Sequence, residues 1–297
     1  MNSNMVNMAL QLSMQDMFSG SWFSGSLMNR VWTEMMLSGV NRLIRNTGGA
    51  DLLGAALGGS LRGDAAMLRQ ASSNVSEAQA MMDMAANAAG NIASQLREAQ
   101  TLAEAFLSAT QGKSPTDPDY APIHDRFQAQ YQAISKNIDS IIKNTTYNGI
   151  ALLDGNAWAG DERLSVVGGA STPAAASVHI QAGDSGFPLT FSNMFPEFSD
   201  VVSRHKLIDD SGPAPWPPRP DVAAELSSLQ SSAQNLADLY AGRAGSLRSQ
   251  TASLQSQAKL LEEAAARRAK TPAPVSTESL LLNLILRDSG GIFSGKG

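Results

Sequence analysis

Residues 138–155 read IDSIIKNTTYNGIALLDG. Ile138 with Ile141 or Ile142 continues a helical apolar spacing, and Asn144-Thr145-Thr146 then ends it, because these side chains compete for backbone hydrogen bonds and disfavour further helix. Asn148-Gly149 supplies the positive φ angles of a tight turn, and Ile150 to Leu153 is a short apolar segment closed by Asp154-Gly155. The stretch holds no nucleophile, no metal-ligand set and no phosphate loop. It points to a packing element, and so to an assembly protein rather than an enzyme.

Upstream, the same helix begins near Pro122, since proline suits a first helical turn, and carries Phe127, Tyr131, Ile134, Ile138 and Ile141 or Ile142 on one stripe. Before it, Leu61, Ala65, Leu68, Ala71, Val75, Ala78, Met82, Ala85, Ala89, Ile92, Leu96, Ala99, Ala103 and Phe106 recur in steps of three or four. This is a sustained heptad-like seam, and its many alanines let a neighbouring helix come close. Gln111-Gly112-Lys113, Pro115 and Pro118 form a helix-stopping loop, whose length predicts an antiparallel pair. A third long helix starts at Asp221, a fitting N-cap, and carries Val222, Leu226, Leu229, Ala233, Leu236, Tyr240, Arg243, Leu247, Thr251, Leu254, Ala258, Leu261 and Ala265 in strict 4,3 spacing. At 1.5 Å rise per residue it runs roughly 70 Å.

Between the second and third helices the pattern changes. Leu164–Val167 and Ser177–Gln181 read as short strands, and residues 178–191 as a hairpin around Gly-Asp-Ser-Gly. Pro188 confines its strand to a sheet edge, and SGPAPWPPRP, residues 211–220, reads as a stiff extended connector. The fold expected is mainly α: long antiparallel heptad-patterned helices forming a rod-like bundle, with a small β-hairpin region inserted between the second and third long helices. The segments divide as 1–49 (N-terminal, with export or assembly roles), 50–155 (N-terminal helical part), 156–220 (β-rich region and connector), 221–268 (return helix) and 269–297 (C-terminal). In residues 1–49, Met5, Met8 and Leu12 fall at helical spacing, while Gly20, Gly25 and Gly39 interrupt and Phe18, Trp22, Phe23 and Trp32 add bulk. This reads either as a segment that orders on a partner or as short helices folded onto the rest.

Composition agrees with close-packed helices: 43% hydrophobic, 16% charged, net charge -5. A pI near 5.2 argues against a nucleic-acid binder. The absence of cysteine excludes thiol catalysis, cysteine-ligated zinc and disulfides; it fits a chain exported unfolded, and equally a bacterial protein that simply lacks the residue. No cleavable signal peptide is visible, and the longest apolar run, Leu280–Leu286 with Asn283 inside it, is too short to span a bilayer. His124, His179 and His205 have no second ligand at metal spacing and read as surface or satisfied histidines. Gly58-Gly59-Ser60-Leu61-Arg62-Gly63 lacks the ending of a phosphate loop, and Glu262-Glu263 beside Arg267-Arg268 reads as a solvated charged face. No catalytic, cofactor-binding or metal-binding residue is assigned.

The chain resembles the bacterial flagellins. Leu37-Ser38-Gly39, Asp51-Leu52-Leu53-Gly54-Ala55-Ala56, Leu61-Arg62-Gly63, Gln70-Ala71-Ser72 and Val75-Ser76-Glu77-Ala78-Gln79 are similar, in order, to that family's N-terminal elements. Ile138 to Leu153, with Asn144-Thr145-Thr146-Tyr147-Asn148-Gly149, is similar to its most specific segment, and the hairpin resembles the family's own. The resemblance covers roughly residues 37–268 and implies a filament subunit of the bacterial flagellum. Such a subunit is secreted by type III export without a cleavable signal peptide and is extracellular. It self-assembles with its junction and cap proteins, helped by an export chaperone, and needs no cofactor, nucleic acid or membrane. Its packing residues are Leu68, Val75, Met82, Ile92, Leu96, Ile134, Ile138, Ile141, Leu226, Leu229, Leu236, Leu247, Leu254 and Leu261, with Asn148 and Gly149 at the turn. Arg97-Glu98 is similar to the site that innate receptors meet on flagellin, while Gln130 stands where the family has an acidic contact. Only Met8-Ala9-Leu10 echoes the family's opening helix, and Ala264–Lys270, two prolines and SLLLNLILR replace its closing one. Three other readings therefore stand beside it: a secreted binding module or adhesin that does not polymerise, a hook-filament junction protein, and a membrane-acting translocator using the apolar ends.

Overall fold

The computed structural model describes residues 50–169, 172–183, 185–208 and 217–270. The readings of residues 1–49, most of the 211–220 connector and the Leu280–Leu286 run lie outside them. The long helix α1 covers Ala50–Thr110 and α2 Tyr120–Asn144; β1 (Thr146–Tyr147) and β2 (Ile150–Ala151) follow. Next come a 3-10 turn at Gly155–Ala157 and the strands β3 (Leu164–Gly169), β4 (Thr172–Ala182) and β5 (Ser185–Ser192). Two one-turn helices, α3 (Phe195–Phe198) and α4 (Val201–Arg204), precede the return helix α5 (Val222–Lys270). The chain is thus mainly α with a small antiparallel β region after the second helix.

The chain forms two compact units. One comprises Glu77–Ile180 and Phe187–Leu247; the other takes in the described parts of Leu12–Ser76, Gln181–Gly186 and Arg248–Gly297. In the first, the α1 seam from Ala78 through Met82, Ala85, Ala89, Ile92, Leu96, Ala99 and Ala103 to Phe106 is fully enclosed, each residue 0% exposed. Met81, Ala88 and Ala93 are buried beside it, so the stripe is wider than one seam, as a helix covered by more than one neighbour requires. Phe106 packs against Tyr120 and Phe127, with ring centroids 6.3 and 5.7 Å apart. Asn137 Nδ2 donates to Gln95 Oε1 at 3.3 Å. Moving back along α1 from Phe106 to Gln95 therefore moves forward along α2 from Phe127 to Asn137, which makes the pair antiparallel. The link between them is tightened by Gly112 at φ +75° and by Ser114 N–H donating to Asp117 Oδ2 at 2.8 Å. The second helix starts at Tyr120, leaving Pro122 inside its first turn.

The turn after α2 is of the type expected. Asn148 and Gly149 sit at φ +49° and +76°, and Tyr147 pairs with Ile150 across them, the left-handed pair that a two-residue hairpin needs. Thr145 ends the helix by donating its hydroxyl to Ile141 O at 2.6 Å, and Leu152 N–H donates to Thr145 O at 2.9 Å. Leu152, Leu153 and Trp158 then drop into the core, with Trp158 Nε1–H donating to Ala151 O at 2.8 Å.

The second sheet runs β3-β4-β5, antiparallel between β3 and β4, with a register shift at Val167/Gly168. Strand β4 is longer than expected. Its first half, Pro173-Ala174-Ala175-Ala176, has little intrinsic strand preference, but Gly168, Val167 and Val166 of β3 pair with Pro173, Ala175 and Ala176 and hold it extended. β5, with Pro188, lies at an edge as expected. Helices α3 and α4 were not legible in the sequence. Backbone N–H groups at the start of α4 are met from α2, where Asp139 Oδ1 accepts from Asp200 N–H at 3.0 Å and Ser135 Oγ accepts from Val202 N–H at 3.5 Å.

One polar knot joins these pieces. The Asn193 Oδ1 accepts from Gly155 N–H at 2.9 Å and from Phe195 N–H at 3.0 Å, while its Nδ2 donates to Pro173 O at 2.7 Å. Its own backbone N–H donates to Ala174 O at 3.0 Å, and Met194 N–H donates to Leu153 O at 2.9 Å. The carboxamide fits only because residue 155 has no side chain: a Cβ there would overlap Asn193.

In the other unit, Asn74 Nδ2 donates to Gln181 O at 2.9 Å, which ties α1 to the end of β4. Glu262 does not serve merely a local charged face. It pairs with Arg69 of α1 at 2.7 Å, because the helix turns that carboxylate toward its neighbour; both groups remain well exposed, and such pairs contribute at most about 1 kcal/mol. Among the described residues no helix is long and apolar enough to cross a membrane.

Gly155→Ala should therefore destabilise the protein by about 1–3 kcal/mol, the usual cost of overpacking. In an Asn193→Ala background the same change should cost much less. A double-mutant cycle by chemical denaturation measures the difference, and simple additivity would contradict the knot.

Candidate functional site

The residues expected to pack are mostly interior. Val75, Met82, Ile92, Leu96, Ile134, Ile138, Leu226, Leu236, Leu247, Leu254 and Leu261 are buried, whereas Leu68, Ile141 and Leu229 are only half-buried. On α2 it is Ile142 that closes the stripe at 0% exposure, since four residues on from Ile138 stays nearer the buried face than three. Asn148 and Gly149 are exposed. Their carbonyls are gripped by Arg163, whose Nη1 donates to Asn148 O at 3.1 Å and Nη2 to Gly149 O at 3.3 Å. Asp161 holds that guanidinium through Nε at 2.8 Å and Nη2 at 2.7 Å. The same bonds keep the Asp161 carboxyl below its ordinary range.

Arg97 and Glu98 lie exposed on α1. Arg97 O accepts from the Thr101 hydroxyl at 3.0 Å and Glu98 Oε2 from Gln95 Nε2 at 3.4 Å. Gln130 is exposed on α2.

A polar cluster that sequence reading missed closes the chain before α5. Tyr131 Oη–H donates to His205 O at 2.8 Å, and the His205 ring meets Glu225 Oε2 at 2.8 Å. Arg219 Nη2 donates to Glu225 Oε1 at 2.6 Å and to Asp221 Oδ2 at 2.7 Å, and its backbone N–H donates to Leu207 O at 2.9 Å. Ile208 and Pro218 pair as an antiparallel bridge. The described end of the expected connector, residues 217–220, is therefore tied to the segment that ends at Ile208. Burial and the nearby Glu225 charge push the Tyr131 hydroxyl up, against a smaller opposing effect of Arg219. His205 is thereby a structural residue, and His124 is satisfied at one ring nitrogen only. Its Nδ1 lies 3.2 Å from Asp125, its ring meets Phe106 edge-on, and its buried Nε2 has no partner. Among the described residues no three potential ligands gather to hold a metal.

Burial raises the Glu197 carboxyl on α3 above its ordinary range; a hydrogen bond from Ser232 and the Arg204 charge oppose the shift. Arg204 in turn donates to Pro196 O and Glu197 O, and the Lys143 ammonium stands 5.6 Å over the Phe195 ring.

What these side chains do is fasten segments to one another: Arg163 to a turn, Asn193 to a strand and a helix, Glu225 to the loop before α5. In this arrangement the polar groups serve packing within the chain. Residues 44–157 match the model of the bacterial flagellin N-terminal helical region. That match supports a bacterial flagellin assignment for this part of the chain, a family of structural proteins of the flagellar filament. No curated protein matches the chain.

Because the folded state binds the Glu197 proton more tightly than the unfolded chain, the contribution of this group to stability is greatest below the ordinary carboxyl range and is lost as pH rises through the raised value. Glu197→Gln keeps an acceptor for Ser232 and removes the buried charge. It should raise the melting temperature at neutral pH and flatten this part of the pH profile; a lower melting temperature at neutral pH would contradict the assignment.

Proposed function

We infer that the protein is a structural subunit of the bacterial flagellar filament, exported through the flagellar secretion apparatus and acting in motility by packing against copies of itself. The buried seam of α1 leading into the Asn148-Gly149 turn, within the matched residues 44–157, carries this reading. The seam side chains point inward, so they stabilise the subunit, and contacts between copies fall to the outer faces. Those faces are weakly charged and include the exposed Met67 and Met84 of α1. Low charge density limits repulsion between stacked copies. A secreted binding module that keeps the helices without polymerising is the competing reading, favoured by the divergent terminal sequences.

Electron microscopy of the purified full-length protein separates the two: filaments are expected, and persistent monomers at high concentration would establish the module. Ile138→Ala, at 0% exposure, should cost about 2–5 kcal/mol and lower both the melting temperature and the filament yield. Arg97 and Glu98 are the surface an innate flagellin receptor would meet. With Gln130 in place of an acidic partner, reporter cells should respond weakly, and a response equal to that of a potent flagellin would overturn this.

A further inference from the structure

Asn148-Gly149 is the only Asn-Gly pair in the chain. An asparagine followed by glycine is chemically distinctive, because no side chain on the second residue hinders attack of its amide nitrogen on the asparagine carboxamide. Both residues are exposed to water at the tip of the β1–β2 turn. The Asn148 carboxamide and the Gly149 N–H have no hydrogen-bond partner among the described residues. The remaining feature is Arg163. Its Nη1 donates at 3.1 Å to Asn148 O, the carbonyl of the very peptide unit whose nitrogen is Gly149 N. A cation bound to that oxygen stabilises the amide's deprotonated form, since a hydrogen bond to the charged state favours it. Asp161 fixes the guanidinium through two further bonds.

We propose that Asn148-Gly149 is a self-modification site, at which the turn deamidates through a cyclic imide and Arg163 promotes the step. Gly149 N loses its proton and attacks Asn148 Cγ; the N–Cγ bond forms, the Cγ–Nδ2 bond breaks, and Nδ2 leaves with the protons as ammonia. Water then opens the imide. Attack at Cγ gives aspartate, and attack at the Asn148 main-chain carbonyl gives an isoaspartyl link. No oxidant or reductant is needed. An isoaspartyl link lengthens the main chain of the two-residue turn and breaks the Tyr147–Ile150 register, whereas aspartate keeps the turn and sets a carboxylate near Arg163. Asn193, whose carboxamide is bound at both ends, is the internal comparison.

The test is to incubate the full-length protein at neutral and mildly alkaline pH and follow each asparagine by peptide mapping with mass spectrometry. Asn148 should convert first and faster at higher pH, giving both products, while Asn144, Asn156 and Asn193 persist. Arg163→Gln should slow conversion by about tenfold, the effect of losing one charge-assisted hydrogen bond to a developing anion, and Arg163→Lys should restore part of the rate. If Arg163 only stiffened the turn, Arg163→Gln would speed conversion. That outcome, or an Asn148 as long-lived as Asn193 in the unmodified sequence, overturns the proposal.

Discussion

The contact between Gly155 and the Asn193 carboxamide is the constraint on which the middle of the molecule depends. One side chain satisfies the segment after the turn, the first residue of α3 and the start of β4 together. Each of those groups would otherwise be a partly buried polar atom without a protein partner, at a cost of up to about 1–3 kcal/mol apiece. A glycine at 155 and an asparagine at 193 are therefore required as a pair. The knot also explains why Leu152, Leu153 and Trp158 can be fully buried so soon after an exposed turn: the chain is held on both sides of them.

Around this point the helices are held mainly by apolar burial. Small residues dominate the α1 seam, so contact area comes from close backbone approach rather than large side chains, and the few large ones, Phe106, Met82, Ile92 and Leu96, fill what remains. The charged pairs are peripheral by comparison. Arg69–Glu262 is exposed and Arg163–Asp161 half-exposed, and both act on orientation more than on stability. The cluster of Tyr131, His205, Arg219 and Glu225 is more enclosed; it positions the entry to α5.

The long helices were legible because their signal is repeated over many turns and no single residue decides it. The Asn-Gly turn was legible because few residues accept two consecutive positive φ angles. What escaped were features whose cause lies far away in sequence. Strand β4 extends through an alanine run only because β3 pairs with it, α4 is capped by Ser135 and Asp139 from another helix, and Glu262 meets Arg69 across 193 residues of sequence. The choice between Ile141 and Ile142 turned on a fraction of a helical turn. The polar residue Arg243, which interrupted the heptad pattern, is explained by a strand: its Nη1 donates to Thr190 O at 3.0 Å.

That last bond has a companion, for Tyr240 Oη accepts from Ser192 N–H at 2.8 Å. Together they occupy main-chain groups on β5, one rim of the three-stranded sheet. At the other rim, β3 carries Val166 and Val167 at 41% and 51% exposure, and its bulge sits between Val167 and Gly168. Tyr240, a regular position of the α5 seam, and Arg243, the polar residue three further on, thus clasp one strand edge from a single helical turn, so that the return helix fixes β5 through its main chain whatever side chains the strand carries.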